Sequence, residues 1–587
     1  MTPAADTPLT LVQWLAATAL IFCALLLPAA LWAAWWLRGR YARTVLQLQA
    51  RLAPPPVDIA LKPVVDIDLG QPAGAGATAR SAPLRIERLW ASESPAVPAA
   101  LPARRLRRWV LGVQFVAGVL FWWLLLLVLV TGMSMVVVSQ VADDTPVGLA
   151  GTLVGVALLL LPPALAWALQ AGLRERSIWL VLTVGGVLMG VWAALTVKTT
   201  FAETAGFIGA MLLLPLLASL FLRPALRGAG PPLVAAALVG WAAFVFVCVG
   251  LALVFPDDGT NTPWTRQDSV LLAGLVLIAV VVMAWVGRRM LARIARGYAG
   301  KQFSEQQLAL AAYWALVSGL VLSLVLMVAF DDSGENKDLG VALLLLFAMA
   351  AFWLWRVLQR RVLRAVLRRA VAPLPPLLLL RVFKPSGRSE AFMDRLLARW
   401  RFAAPVWLIA GPDLAGAFME PDEFFAWTQD ALGERFVADA TQISDRVAQL
   451  DHGRDPDGRY RVSEMFCANH VWQAAVQALI ARAGVVLLDL REYTDQRAGT
   501  RFELELLLAR GGFERLILLT DEAGDAPQLQ GALQRAWAAG GGGVATQLAP
   551  VRVLQLAAGS DAELEGVFRA VAGAAASAAA TAAAAGA

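Results

Sequence analysis

Cysteine is scarce in this chain. Three occur among 587 residues, Cys23, Cys248 and Cys467, and the first two sit in apolar runs. No pairing framework exists, which excludes a disulfide scaffold and fits a reduced surrounding for the soluble part. Histidine is scarcer still, with His452 and His470 alone. Cys467 and His470 stand three apart, but no second pair completes a tetrahedral site, so neither a structural metal nor a Cys–His nucleophile pair is expected. The sequence has no GxGxxG, no Walker spacing, no nucleophilic serine elbow and no nucleic-acid module. The loop DHGRDPDGRY (Asp451–Tyr460) is acidic, but its spacing does not fit an EF-hand. The N-terminus, MTPAADTPLTLVQWLAA, lacks a basic n-region, so the first apolar run reads as a retained span and not as a cleaved signal.

Apolar residues are abundant. The chain is 59% hydrophobic and 16% charged, with a mean hydropathy of +0.63. This composition points to a multi-span membrane protein with soluble sequence attached. Runs of roughly 17–25 apolar residues define a span. By that measure an α-helical bundle of about nine spans is expected, at Leu11–Leu37, Trp109–Val138, Leu149–Gln170, Ile178–Val197, Phe207–Leu222, Leu233–Phe255, Ser269–Val286, Leu308–Phe330 and Leu339–Trp355. The expected organisation is a first span (1–37), a Pro/Ala/Arg-rich linker (38–108), an eight-span bundle (109–357), a basic juxtamembrane segment (358–376), a soluble α/β domain (377–571) and an Ala-rich, frayed tail (572–587). Within the linker, VDIALKPVVDIDL alternates as a short strand would.

The net charge of +6 is concentrated in particular loops. One set of inter-span loops holds Arg174, Arg176, Arg223, Arg227, Arg288, Arg289, Arg293, Arg296 and Lys301, and Arg356–Arg369 follows the last span. The alternate loops hold few basic residues. The positive-inside rule then puts the N-terminus outside and the C-terminal domain in the cytosol of a bacterial inner membrane. The basic flanks would meet anionic lipid at about 1 kcal/mol per basic residue. No nucleic-acid partner is implied. The span interiors hold almost no ionisable residues, which favours an anchoring or sensing bundle over a translocation path.

From Leu377 short apolar runs alternate with helical stretches. Leu377–Phe383, Pro405–Ala410, Val485–Asp489, Leu516–Leu519 and Val551–Leu556 read as strands, with a short one near Arg435–Ala438. Continuous apolar strands separated by helices predict a parallel sheet covered on both faces, a flavodoxin-like α/β fold. Ligands in such folds bind beyond the carboxyl ends of the strands. Two edges stand out there. Lys384, Ser386 and Arg388, with Gly387, form a short basic loop that is either a phosphate or cofactor cradle or an ordinary strand–helix connection. Asp489 and Arg491 follow the most apolar strand, where Asp489 either meets a ligand or caps its own loop.

The stretch Gly484–Leu508 then gives the domain a likeness. The strand Val485–Leu490 is followed by a polar loop, REYTDQRA, and a helix opening Gly499-Thr500-Arg501-Phe502-Glu503-Leu504. This resembles the Toll/interleukin-1 receptor (TIR) family, whose corresponding helix opens on Trp-Cys-x-x-Glu-Leu. Gly499 and Thr500 stand where that family has Trp and Cys. The resemblance covers Leu377–Val571. It implies signalling or defence through self-association. For those members that hydrolyse NAD, it implies NAD as substrate and Glu503 as the catalytic carboxylate beside the ribose. Read from the residues alone, Glu503 is equally a helix-N-terminal acid favoured by the helix dipole. A noncatalytic scaffold and a transporter with a regulatory domain are the alternative functions.

Overall fold

The computed structural model describes residues 32, 35–37, 39–52, 84–137, 161–171, 228–235, 238, 266–329, 337–370, 372–381, 387–410, 421–491, 493–494, 497–521, 526–539 and 550–586. The chain divides into two compact units. One comprises residues 1–39, 110–365 and 418–428; the other comprises 40–109, 366–417 and 429–587.

The first unit is helical. Its described helices include most of Leu101–Val137, together with Leu161–Ala171, Arg266–Ala299, Glu305–Ala329 and Lys337–Leu367. Aromatic rings fill its centre. Phe121 meets Trp314 edge-on and stacks on Trp355, both with ring centroids 5.3 Å apart, and the buried Tyr313 hydroxyl donates to the Pro162 carbonyl at 3.1 Å. Large apolar side chains are also exposed at helical spacing: Trp109, Val116, Leu120, Trp123 and Leu127 on one helix, and Leu346, Met349, Trp353 and Leu354 on another. Among the described residues one helix, Pro98–Val128, is long and apolar enough to cross a membrane. This corrects the count of nine, which the described residues do not carry. The expected spans at Ile178–Val197 and Phe207–Leu222 lie outside them, as do most of Leu11–Leu37 and Leu233–Phe255. Apolar runs alone do not distinguish a lipid-facing helix from a core helix. Glu305–Ala329 illustrates this, since Leu310, Tyr313, Trp314, Leu316, Val317 and Val321 are all buried.

The second unit is α/β. Its strands are β1 (Ile86–Trp90), β2 (Leu377–Arg381), β3 (Val406–Ala410), β4 (Phe436–Val437), β5 (Val462–Cys467), β6 (Val485–Asp489), β7 (Leu516–Asp521) and β8 (Val551–Leu556). They form one sheet in the order β1-β8-β7-β6-β2-β3-β5-β4, and every pairing is parallel. The helices of this unit include α1 (Gly387–Trp400), α2 (Ile443–Ala448), α3 (Trp472–Arg482), α4 (Ala498–Arg510), α5 (Ala526–Ala539) and α6 (Asp561–Gly586).

The central strands read LLLLR, VVLLD and LILLTD because helices cover both faces, so no polar alternation is needed. Leu378, Leu380, Leu488, Leu518 and Val553 point into one core with Val476, Leu479 and Leu504. Taken by themselves, β3, β2, β6, β7 and β8 carry the flavodoxin-like order 2-1-3-4-5. The sheet is larger than the five strands and the short one near Arg435–Ala438 read from sequence; that short strand is β4. At one edge β5 joins β4 to the rest. Here the polar Ser463 and Glu464 had concealed a strand. At the other edge β1 pairs with β8 from Ile86↔Val551 to Trp90↔Gln555.

Two domain boundaries therefore change. The stretch 38–108, read as linker, holds an edge strand, while VDIALKPVVDIDL lies outside the described residues. The tail from 572 is not frayed at its start, because α6 continues and Ala572, Ala574 and Ala575 are fully buried. A capping box starts α6: the Ser560 amide donates to Glu563 Oε2 at 2.6 Å, and the Glu563 amide donates to Ser560 Oγ at 3.2 Å. The helix then passes so close to the segment after β1 that a Cβ on Gly566 would lie 1.5 Å from the Ala91 carbonyl oxygen. Backbone cannot swing aside as a side-chain tip can. Gly566→Ala is expected to destabilise the unit by about 1–3 kcal/mol, the usual range for overpacking. Hydrogen exchange of Ile86–Trp90 in the full chain checks this: protection there should fall, and unchanged protection would contradict the close approach.

Candidate functional site

The order of the strands places the topological switch point between β2 and β6. From β2 the chain winds outward to β3, then returns to β6 and winds the other way through β7 and β8. The register sets Arg381 at the end of β2 opposite Asp489 at the end of β6. Carboxyl-end crevices at such points are where open α/β sheets take ligands.

Asp489 and Arg491 both sit there, and they bind one another. Arg491 Nε donates to Asp489 Oδ1 at 2.8 Å, and Arg491 Nη2 donates to Oδ2 at 2.7 Å. The Arg491 backbone amide adds a bond to Oδ1 at 3.2 Å. Arg491 Nη2 also donates to the Ser389 carbonyl in the first turn of α1 at 3.0 Å, and the guanidinium lies over the Phe392 ring at 4.9 Å. Each residue is only 4% exposed. A planar guanidinium matches a carboxylate through two parallel bonds, and the stacked ring excludes water from its face. The pair thus ties the end of β6 to the start of α1. Of the five residues expected to meet a cofactor, Asp489 and Arg491 meet each other.

Glu503 lies on α4, the helix after β6. It faces inward: Thr500, Phe502, Glu503, Leu504, Leu506, Leu507 and Leu508 are all buried. Burial pushes its carboxyl up to about 8. Among the described residues its Oε2 has no hydrogen-bond partner, nor does Oγ1 of Thr500, one turn earlier on the same face. Burial therefore favours the protonated, neutral form of this carboxyl around neutral pH.

Lys384 and Ser386 lie outside the described residues. Arg388 falls in the first turn of α1, but its side chain is likewise outside them. The structure therefore brings Asp489 and Arg491 together and leaves Glu503 separate from that pair's bonding network.

The acidic loop before β5 has a structural use. Asp455 accepts from Arg461 Nε through both oxygens at 3.0 and 3.1 Å, Asp457 pairs with Arg459 at 3.3 Å, and Arg401 Nε donates to the Tyr460 carbonyl at 2.7 Å. Burial raises the Asp455 carboxyl to about 6 against the pull of Arg461. Burial pushes the Cys467 thiol up to about 12, which suits a core residue and not a nucleophile. Among the described residues no group of three or more His, Cys, Asp or Glu stands together as a metal site.

Sequence reasoning missed one cluster. Arg104, Arg107 and Arg108 meet Arg399 of α1 and Glu565 of α6 around a cavity. The arginine run was visible, but its partners lie nearly 300 and 460 residues away, so no local pattern announces them.

No protein-family model, no curated protein and no solved structure matches this chain.

Proposed function

We propose that this chain is a membrane-anchored signalling or defence protein of the bacterial inner membrane. Its TIR-like α/β domain faces the cytosol and acts by association with itself or a partner, without turning over NAD. The observation that carries this reading is the buried Asp489–Arg491 pair, because these two polar side chains at the switch point bind each other. The exposed apolar stripes on the long helices support the anchoring part, and the Lys/Arg bias of the loops supports the orientation.

One observation favours a second reading, in which the domain hydrolyses NAD. Glu503 is a buried carboxyl with an oxygen that has no partner among the described residues, the kind of perturbed acid that marks reactive sites. Incubating the detergent-purified full chain with NAD separates the two. The full chain is needed because a fragment starting at Leu377 would lack β1. No nicotinamide release, together with concentration-dependent dimers by mass photometry, is expected. Release that Glu503→Gln abolishes, and that rises with pH toward a midpoint of about 8 as the carboxyl ionises, would replace the first reading with the second. A chain that stays monomeric and releases no nicotinamide would overturn both.

A further inference from the structure

The cluster around Arg107 has a use that neither reading supplies. Ala103, Arg104, Arg107 and Arg108 stand on the opening turns of the helix Leu101–Val137. With Arg399, Glu565 and Phe568 they line a cavity of about 210 Å³. All of these residues belong to the α/β unit.

The cations there outnumber the anions. Glu565 Oε1 forms an ion pair with Arg104 Nε, and Glu565 Oε2 accepts from Arg399 Nη1, each at 3.2 Å. Asp561 accepts from Arg399 Nη2 at 2.9 Å and from Arg395. Among the described residues, five guanidinium groups, those of Arg104, Arg107, Arg108, Arg395 and Arg399, gather near the carboxylates of Asp561 and Glu565. Packing like charges around a partly enclosed space is unfavourable unless something negative enters it. The network also fixes the forks in place, since Arg399 is held on both sides, by Asp561 and by Glu565. The two or three non-ester oxygens of a tetrahedral phosphate group point in different directions and take guanidinium forks from several sides, where a planar carboxylate takes one or two.

We propose that this cavity is a binding site for a phosphate monoester or diester, held by Arg107, Arg108 and Arg399 with Glu565 as the orienting acid. The site's place on the helix favours a lipid headgroup as the source of the phosphate. Arg104 to Trp109, where the apolar stretch begins, is about 8 Å along a helix rising 1.5 Å per residue. A headgroup phosphate in the cytosolic leaflet lies within that reach if the helix spans as the membrane reading has it. The lipid source thus rests on that reading, whereas the anion site itself does not.

The test uses the full chain in lipid nanodiscs. In the first arm, nanodiscs of phosphatidylcholine alone are titrated with inorganic phosphate against chloride at matched ionic strength, and melting of the α/β unit is followed. In the second arm, phosphatidylglycerol is added to the disc without free phosphate, and lipid retained by the protein is counted by native mass spectrometry. Stabilisation or retention in either arm is expected, and Arg107→Gln should weaken it about tenfold or more, the usual loss for a charged hydrogen bond. Retention of phosphatidylglycerol without a response to phosphate assigns the site to lipid. A response to phosphate in neutral discs assigns it to a soluble phosphoester and leaves the site standing even if the membrane reading fails. Because Arg107 is half-buried and its loss could unfold the unit, Arg108→Gln, at the exposed rim, is run beside it. No effect in either arm, or equal effects in wild type and in Arg108→Gln, would overturn the proposal.

Discussion

Raising the pH from 5 to 8 is expected to weaken the α/β unit by up to about 4 kcal/mol, at about 1.4 kcal/mol per pH unit. The cause is Glu503. Its carboxyl titrates near 8 when folded, against an ordinary value of 4.5. Between those values the unfolded chain releases the proton and the folded one keeps it, so the unfolded state gains with every step in pH. The stabilisation is complete below 4.5 and is lost as pH rises through 8. Asp455, raised to about 6, adds to the slope in the same direction, but only in its lower part. The interval from 6 to 8 therefore reports on Glu503. Urea titration of the full chain, read by hydrogen exchange in β6 and β7, measures it. Glu503→Met, similar in volume and uncharged, should flatten the upper slope and leave the variant more stable than wild type at pH 8. An unchanged slope in the variant would show that the carboxyl is solvated. The same experiment bears on function, since a site that ionises Glu503 must first open a path for water to it.

The second large effect is expected at Arg491. Arg491→Met removes the cation and leaves the Asp489 carboxylate buried with one backbone donor. Breaking a buried pair from one side costs about 3–5 kcal/mol, because the remaining charge is uncompensated. The loss should appear in the urea midpoint of the α/β unit. It should also appear as early exchange in the first turn of α1, where Arg491 holds the Ser389 carbonyl. The double variant Asp489→Leu/Arg491→Met, which removes both charges, should recover most of the stability. If the double variant is as weak as the single one, the pair's role is packing against Phe392 and not charge. A small effect from the single variant would mean that Asp489 reaches water.

The comparison of these two sites shows what a sequence exposes. Asp489, Arg491 and Glu503 were all visible as polar residues at the edge of an apolar strand and the helix after it. Their positions were legible because β6 and α4 are local, and local patterns carry strand and helix. Their partners were not. Nothing in the string says that Arg491 turns back onto Asp489 and across to Ser389, about a hundred residues earlier. Nothing says that Glu503 points inward, because α4 has apolar residues on most sides and its inward face cannot be picked by period. The edge strand β1 was missed for a related reason. Five residues, IERLW, mean little until β8 is beside them. The capping box Ser560–Glu563 is local enough to be read from sequence, although only the structure drew it out. The close approach of α6 to Ala91 at Gly566 and to Val97 at Gly573 is not, since those partners lie far upstream.

The sequence by itself determined the apolar character of the N-terminal two thirds and the alternation of strands and helices after Leu377. It also determined the parallel sense of the sheet, since LLLL, VVLL and LILL suit only strands buried on both faces. Those properties follow from the hydrophobic effect acting on short windows. The tertiary structure alone decided the strand order, the recruitment of β1 from far upstream, the self-pairing at the switch point and the gathering of Arg104, Arg107, Arg108 and Arg399 around one cavity. Each of these joins residues distant in the chain. Their energies depend on burial and on opposing charge at a few ångströms, and neither quantity exists until the chain has folded.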